Sequence, residues 1–173
     1  HDLGGRRAGP VKPDKPKDPI FECSWHKRVL GLTVASGAMG AWSIDTSRFR
    51  RETLPKEDYQ SYTYYEKWLA ALNNLFVSGG FVDLEEIKNG VYDADCRQLN
   101  SKTLRANEVP DMLATGAKAS RPSSSTPAFC LGEKVKTKRP SDTLLQNPGH
   151  TRLPHYAAGK TGIILFYHGH HVL

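Results

Sequence analysis

The most regular hydrophobic pattern in the chain lies between residues 62 and 78. Its apolar positions recur at intervals of three and four residues, which places them on one face of an α-helix. These positions are Tyr65, Trp68, Leu69, Leu72, Leu75 and Phe76. Gly79 and Gly80 follow, and glycine commonly ends a helix. The pattern therefore predicts one amphipathic helix with an aromatic and aliphatic face.

A second amphipathic pattern covers residues 21–40 and ends at Gly37 and Gly40. One face of the helix that it predicts is made by Trp25, Val29, Leu32 and Ser36.

Two shorter helices are predicted on either side of the aromatic one. The first begins near Ser43 and runs to about Leu54, because Pro55 cannot continue a helix. The second covers Val82 to Asn89, with acidic residues near its N-terminus, where the helix dipole favours them, and a glycine after its end.

Beyond residue 90 the helical pattern fades, and Ser120 to Pro127 has the composition of a linker. After it the pattern changes to a period of two. Alternating positions around the Gly132-Glu133 turn, and the β-rich run from Lys160 to Tyr167, predict strands. Two or three strands cannot bury a core alone. We therefore expect further sequence or a partner to complete this part.

These patterns predict an α+β chain with four parts. Residues 1–20 form an extended N-terminal arm and residues 21–90 a helical domain. Residues 91–127 form an irregular linker, and residues 128–173 a partial β domain.

Composition and charge restrict the class of protein. Hydrophobic residues make up 38% of the chain and the net charge is +6. Between Lys102 and Arg139 eight basic residues oppose three acidic ones, which is compatible with nucleic acid, with a solvated linker or with an acidic partner. Aromatic residues do not alternate with these charges as a base-stacking surface requires, so we expect no nucleic acid as a partner.

The cysteines and the chain ends bear on location. Cys23, Cys96 and Cys130 are few, far apart and odd in number, which argues against a disulfide framework and favours free thiols in the cytoplasm. No apolar run reaches the roughly 18 residues of a transmembrane helix, so we expect no membrane partner. The beginning lacks the apolar stretch of a signal peptide. Both ends look clipped, so we expect a fragment or a processed chain.

Candidate chemistry is sparse when residues are taken alone. The chain has no phosphate-binding P-loop and no nucleophile elbow. His168 and His170 would share one face of a strand and could hold a metal, but no carboxylate or cysteine lies nearby in sequence to complete a tetrahedral site. By default Arg48 and Arg152 are surface residues.

Two segments change this interpretation. Tyr62 to Leu69 (YTYYEKWL) and Gly149 to Tyr156 (GHTRLPHY) resemble the two hallmark stretches of nitrile hydratase beta subunits. The opening His1 to Gly5 resembles the start of that family, and further residues occur in the family's order. These are Trp25, the Ser43 helix start, Arg48, Pro127 to Phe129 and Gly132 to Val135. The resemblance covers nearly the whole chain.

The resemblance implies an enzyme subunit that binds no metal itself. Nitrile hydratase is a hydro-lyase that converts a nitrile to an amide. Its low-spin metal ion is held by the alpha subunit through cysteine sulfurs, two of them oxidised to sulfenic and sulfinic acids. The implied partners are that alpha subunit, in a heterodimer and then an α2β2 assembly, and a small nitrile. Trp68 resembles the Co(III) branch, with Fe(III) as the alternative.

The resemblance also implies roles for particular residues. Arg48 and Arg152 would hydrogen-bond the oxidised sulfurs of the alpha subunit, since a guanidinium offers several fixed donors and keeps its charge. Tyr64 would orient the nitrile or the attacking water. The remaining pocket residues are Trp68, Ile44 and Tyr65.

Departures from the family keep alternatives open. Ala158 stands where the family has an arginine, and the family's remaining strands, beyond residue 173, are absent, so the implied SH3-like β-barrel or β-roll is incomplete. A thiocyanate hydrolase subunit is related, but its corresponding pieces are separate chains. A metal-delivering activator resembles the helical half alone, and the stretch at Gly149 argues against it. An RNA-binding module would show salt-dependent retention on RNA.

Overall fold

The chain divides into two compact units. The computed structural model describes residues 9–10, 12–91, 103–116, 118–139 and 153–171. One unit spans Val11–Leu113, and the other takes the described residues of Ala114–Leu173 together with residues 9 and 10. The first is helical and the second contains short strands. An α+β class is therefore correct, whereas the fourfold division with a boundary near residue 127 stays a prediction.

Six α-helices are described. They are α1 (Ser24–Ala38), α2 (Ile44–Glu52), α3 (Lys56–Ser61), α4 (Tyr64–Ser78), α5 (Leu84–Asn89) and α6 (Val109–Thr115). The predicted helices at 21–40, 43–54, 62–78 and 82–89 are confirmed as α1, α2, α4 and α5, each with slightly narrower bounds.

Local hydrogen bonds fix where the helices start. The Ser43 hydroxyl accepts a bond of 3.1 Å from the Thr46 backbone N–H and so caps α2. At the start of α4 the Glu66 carboxylate accepts from both the backbone N–H and the hydroxyl of Thr63, each at 2.7 Å. This contact lowers the pKa of Glu66, chiefly through the backbone hydrogen bond. α5 ends at Gly90, whose φ of 64° is left-handed.

The core of the helical unit forms where α4 packs against α1 and α2. Its buried hydrophobic residues are Val29, Leu54, Ala71, Leu72 and Leu75. The predicted face of α1 is only partly buried, because Leu32 remains 49% exposed. The middle of α4 thus supplies three of these five residues, whereas Tyr64 in its first turn is exposed.

Two helices were missed by the sequence patterns, and both are short. Pro55 ends α2 as expected, but it also serves as the N-cap of α3. Proline suits the start of a helix because no backbone N–H is needed there. α6, which follows a 3-10 turn at Ala106–Glu108, lies within the segment predicted to be irregular. Helices of six or seven residues are too short for apolar spacing to reveal them.

The second unit contains two antiparallel pairs of strands. β2 (Lys134–Lys136) pairs with β3 (Thr161–Ile163), and β1 (Ser120–Arg121) pairs with β4 (His170–His171). The turn before β2 is confirmed at Gly132, where φ is 82°. No closed barrel is present among the described residues. Beyond residue 113, none of the side chains whose burial is described is buried.

The histidine cluster is not the strand face that the sequence predicted. Gly169 adopts a φ of 91°, and the strand begins only at His170, so strand alternation does not align His168 with it. The His171 ring lies 3.0 Å from the His168 carbonyl oxygen. Within the described ranges, no group of three His, Cys, Asp or Glu side chains could hold a metal ion. Among these residues, no helix is long and apolar enough to cross a membrane.

Candidate functional site

The first two turns of α4 carry a cluster of three aromatic side chains, Tyr64, Tyr65 and Trp68. Tyr64 and Trp68 are one helical turn apart, and their ring centroids lie 5.3 Å from each other. Tyr64 is 63% exposed, whereas Trp68 is half-buried. The exposed phenol and the indole beside it form an aromatic surface at the N-terminal end of α4.

Tyr65 lies on a different side of this cluster from Tyr64. Its ring stacks on the His26 imidazole of α1, with centroids 4.5 Å apart, and lies 6.2 Å from Trp68. Burial, followed by the charge of Tyr64, raises the pKa of Tyr65. Tyr65 therefore helps attach α4 to α1, while Tyr64 is the more solvent-accessible phenol.

Arg48 lies on α2 and is held by a short-range ion pair. Its Nη1 donates to Asp45 Oδ1 at 2.8 Å, and the side chains are 38% and 14% exposed respectively. A guanidinium carries five N–H donors in a planar fork. The aspartate thus orients Arg48, and the exposed part of the guanidinium can contact a further anion.

Arg51 joins the two helices, although the sequence patterns did not single it out. Its guanidinium carbon lies 4.5 Å from the centroid of the Trp68 ring. The pKa of Arg51 is lowered, first by burial and then by the charge of Arg48, while Tyr64 has the opposite effect. Helical spacing could have indicated this residue, because Arg51 follows Arg48 by three positions and so shares its face of α2.

The structure brings only some of the predicted site residues together. Arg48, Tyr64 and Trp68 belong to two helices that pack against each other, and Arg51 connects them. Ile44 begins α2, one turn before Arg48, and is 66% exposed. Arg152 lies outside the described residues.

This arrangement combines fixed cations with an aromatic surface. Guanidinium groups donate short, charge-assisted hydrogen bonds to anionic oxygens. Exposed aromatic rings provide an apolar wall with a hydroxyl at its edge, which suits a small molecule with one polar group. The described part of the chain therefore offers donors and an apolar surface, but no metal-ligand set.

Comparison with known proteins identifies the family. Residues 1–116 match the model described as nitrile hydratase beta subunit, N-terminal, and residues 118–173 match the corresponding C-terminal model. The chain is 30% identical to the low-molecular weight cobalt-containing nitrile hydratase subunit beta of Rhodococcus rhodochrous, covering 99% of this chain and 76% of that protein. It is 34% identical to the nitrile hydratase subunit beta of Pseudomonas putida, covering 94% and 70%.

A further relative is the cobalt-containing nitrile hydratase subunit beta of Pseudonocardia thermophila, which is 28% identical over 99% of this chain and 74% of its own length. Matches to both family models together span nearly all of the sequence. The chain therefore belongs to the nitrile hydratase beta-subunit family, and it works as part of that hydro-lyase together with an alpha subunit.

Proposed function

We propose that this chain completes a nitrile-hydrating active site by contributing two arginines and an aromatic pocket wall to a metal centre held by the alpha subunit. In this proposal Arg48 and Arg152 hydrogen-bond the oxygens of oxidised cysteines on that subunit. Tyr64, Trp68 and Ile44 contact the nitrile. The observation that carries the proposal is the proximity of the cationic side of α2 to the exposed aromatic side of α4.

The chemistry of Arg48 supports its role. Oxidised cysteine sulfurs carry anionic oxygens, and a guanidinium stays protonated and offers paired donors to them. Asp45 fixes the side chain at one nitrogen, so little rotational freedom has to be lost when the oxygens bind. The same reasoning extends to Arg152 through the GHTRLP stretch alone.

The exposure and spacing of the aromatic residues support their proposed contacts with the substrate. Tyr64 is exposed enough for its hydroxyl to donate to a nitrile nitrogen or to hold the attacking water. Trp68, one turn further along α4, gives the apolar side of the pocket. Tyr65 is assigned to the base of this wall, because its ring stacks on His26 and also adjoins Trp68.

The metal supplies Lewis-acid chemistry when bound in the alpha subunit. We propose Co(III), with Fe(III) as the alternative, because Trp68 resembles the cobalt branch and two relatives are named cobalt-containing. We further propose an α2β2 assembly in the cytoplasm, a small nitrile as substrate, and an SH3-like barrel for the C-terminal part.

The test uses this chain co-expressed with its alpha subunit. Arg48→Lys keeps the charge but removes the planar fork, so kcat for a small nitrile should fall about 10- to 100-fold, the usual effect of removing a partner of a metal's ligands. Arg28→Lys, at an exposed position on α1, is the matched control and should keep its activity. Metal content is measured in both variants. If Arg48→Lys assembles with full metal and normal kcat, Arg48 has no such role.

A further inference from the structure

We propose that Arg51 is a positioning residue that fixes the Trp68 indole and thereby determines which nitriles the site accepts. The inference rests on the proposed function, in which Trp68 forms the pocket wall. Arg51 itself is not assigned any contact with substrate or with the metal centre.

The geometry is that of a cation–π contact across two helices. The Arg51 guanidinium carbon lies 4.5 Å from the Trp68 ring centroid, inside the roughly 6 Å range of this interaction. Two phenol rings also adjoin the indole, with centroids at 5.3 Å for Tyr64 and 6.2 Å for Tyr65. Both phenols belong to α4, whereas Arg51 links the indole to α2.

The surroundings of Arg51 strengthen this contact. The pKa of Arg51 is lowered chiefly by burial, yet guanidinium remains protonated in proteins. A partly desolvated cation interacts more strongly with an aromatic ring than an exposed one does. Arginine also stacks its plane on an aromatic face, which a lysine ammonium cannot do.

The helical unit contains a similar pair that serves as a control. Lys67 lies on α4, as Trp68 does, and its Nζ is 4.8 Å from the Tyr59 ring centroid. Lys67 is next to Trp68 in sequence but interacts with a different ring, so its removal tests the loss of any cation–π pair on this helix. A change in substrate selectivity that follows substitution of Arg51 but not of Lys67 therefore reports specifically on the Trp68 indole.

Loss of the Arg51 contact should loosen the pocket wall. A free indole can be displaced by a bulky substrate, whereas a small substrate loses little by its movement. Selectivity between the two should then change mainly through KM, since binding at the wall is altered and the chemical step is not.

The experiment compares acrylonitrile and benzonitrile as substrates of the assembled enzyme. In Arg51→Met the ratio of kcat/KM for acrylonitrile to kcat/KM for benzonitrile should fall about fivefold through a lower KM for benzonitrile, with kcat for acrylonitrile within about twofold of the parent. Fivefold converts to about 1 kcal/mol, within the cation–π range. Arg51→Gln is the second variant if methionine impairs assembly, and Lys67→Met should leave the ratio unchanged. An unchanged ratio in the assembled Arg51 variant, or an equal change in Lys67→Met, overturns the inference.

Trp68→Ala separates this inference from the function on which it rests. If Trp68→Ala changes the substrate ratio and the Arg51 variants do not, the positioning role of Arg51 alone is wrong. If Trp68→Ala itself leaves the ratio unchanged, the pocket wall in the proposed function is wrong.

Discussion

Replacing Leu72 by alanine should destabilise the helical unit far more than the same change at Leu32. Leu72 lies in the middle of α4 and is 4% exposed, whereas Leu32 on α1 is 49% exposed. Both changes remove the same atoms from helices of 15 residues, so helix propensity contributes equally. The comparison therefore isolates burial on the helix that carries Tyr64 and Trp68.

The exposed fractions of Leu72 and Leu32 determine how much the two variants should differ in free energy of unfolding. Truncating a fully buried leucine costs about 2–5 kcal/mol, because apolar transfer energy is lost and a cavity remains. At Leu32 about half of that transfer energy was never gained and the site opens to solvent, so about 1 kcal/mol or less is expected. The difference of about 2 kcal/mol corresponds to a Tm difference of roughly 8–16 °C for a domain of this size.

The assay is unfolding of the full chain by urea and by heat, followed by far-ultraviolet circular dichroism. Equal midpoints for Leu72→Ala and Leu32→Ala would refute the packing of α4 as the centre of the core. A larger loss of stability in Leu32→Ala than in Leu72→Ala would also refute it.

Three further outcomes are expected. Because the contact with Thr63 lowers the pKa of Glu66 in the folded chain, this contact stabilises the fold above the unfolded pKa and the contribution is lost as pH falls through the folded pKa. Tm measured against pH should therefore flatten on the acidic side in Glu66→Gln, and an unchanged curve contradicts this. Gly90→Ala places a side chain at a φ of 64° and should cost about 1 kcal/mol. Gly31→Ala, inside α1 with open space around it, should instead stabilise by about 0.5–1 kcal/mol; destabilisation there on denaturant titration would be the contrary result.

Much of the helical unit could be predicted because its pattern is long and regular. α4 shows four turns of apolar spacing followed by two glycines, and its bounds were predicted within two residues. α3 and α6 could not be found in the same way, since six or seven residues span too few turns for a periodicity. Strands were located correctly around Val135 and Thr161, although the second ends at Ile163 and not at Tyr167 as predicted. Their pairing could not be predicted, because it depends on contacts distant in sequence.

The residues of the site could not be predicted from hydrophobic spacing as the helices were. Arg48, Tyr64 and Trp68 were indicated by resemblance and not by spacing. Arg51 was missed because helical spacing places it only on the same face as Arg48. Its contact with Trp68 depends on the packing of α2 against α4, which spacing within one helix does not show. Tyr65 was grouped with the pocket, although its contact with His26 gives it a second, structural role.

The proposed roles of Arg48 and Arg152 are tested most directly by a crystal structure of this chain assembled with its metal-loaded alpha subunit. Both guanidinium groups should donate to the oxygens of the oxidised cysteines at about 2.7–2.9 Å, the length of charge-assisted bonds. If both side chains instead point away from that centre, these roles are wrong.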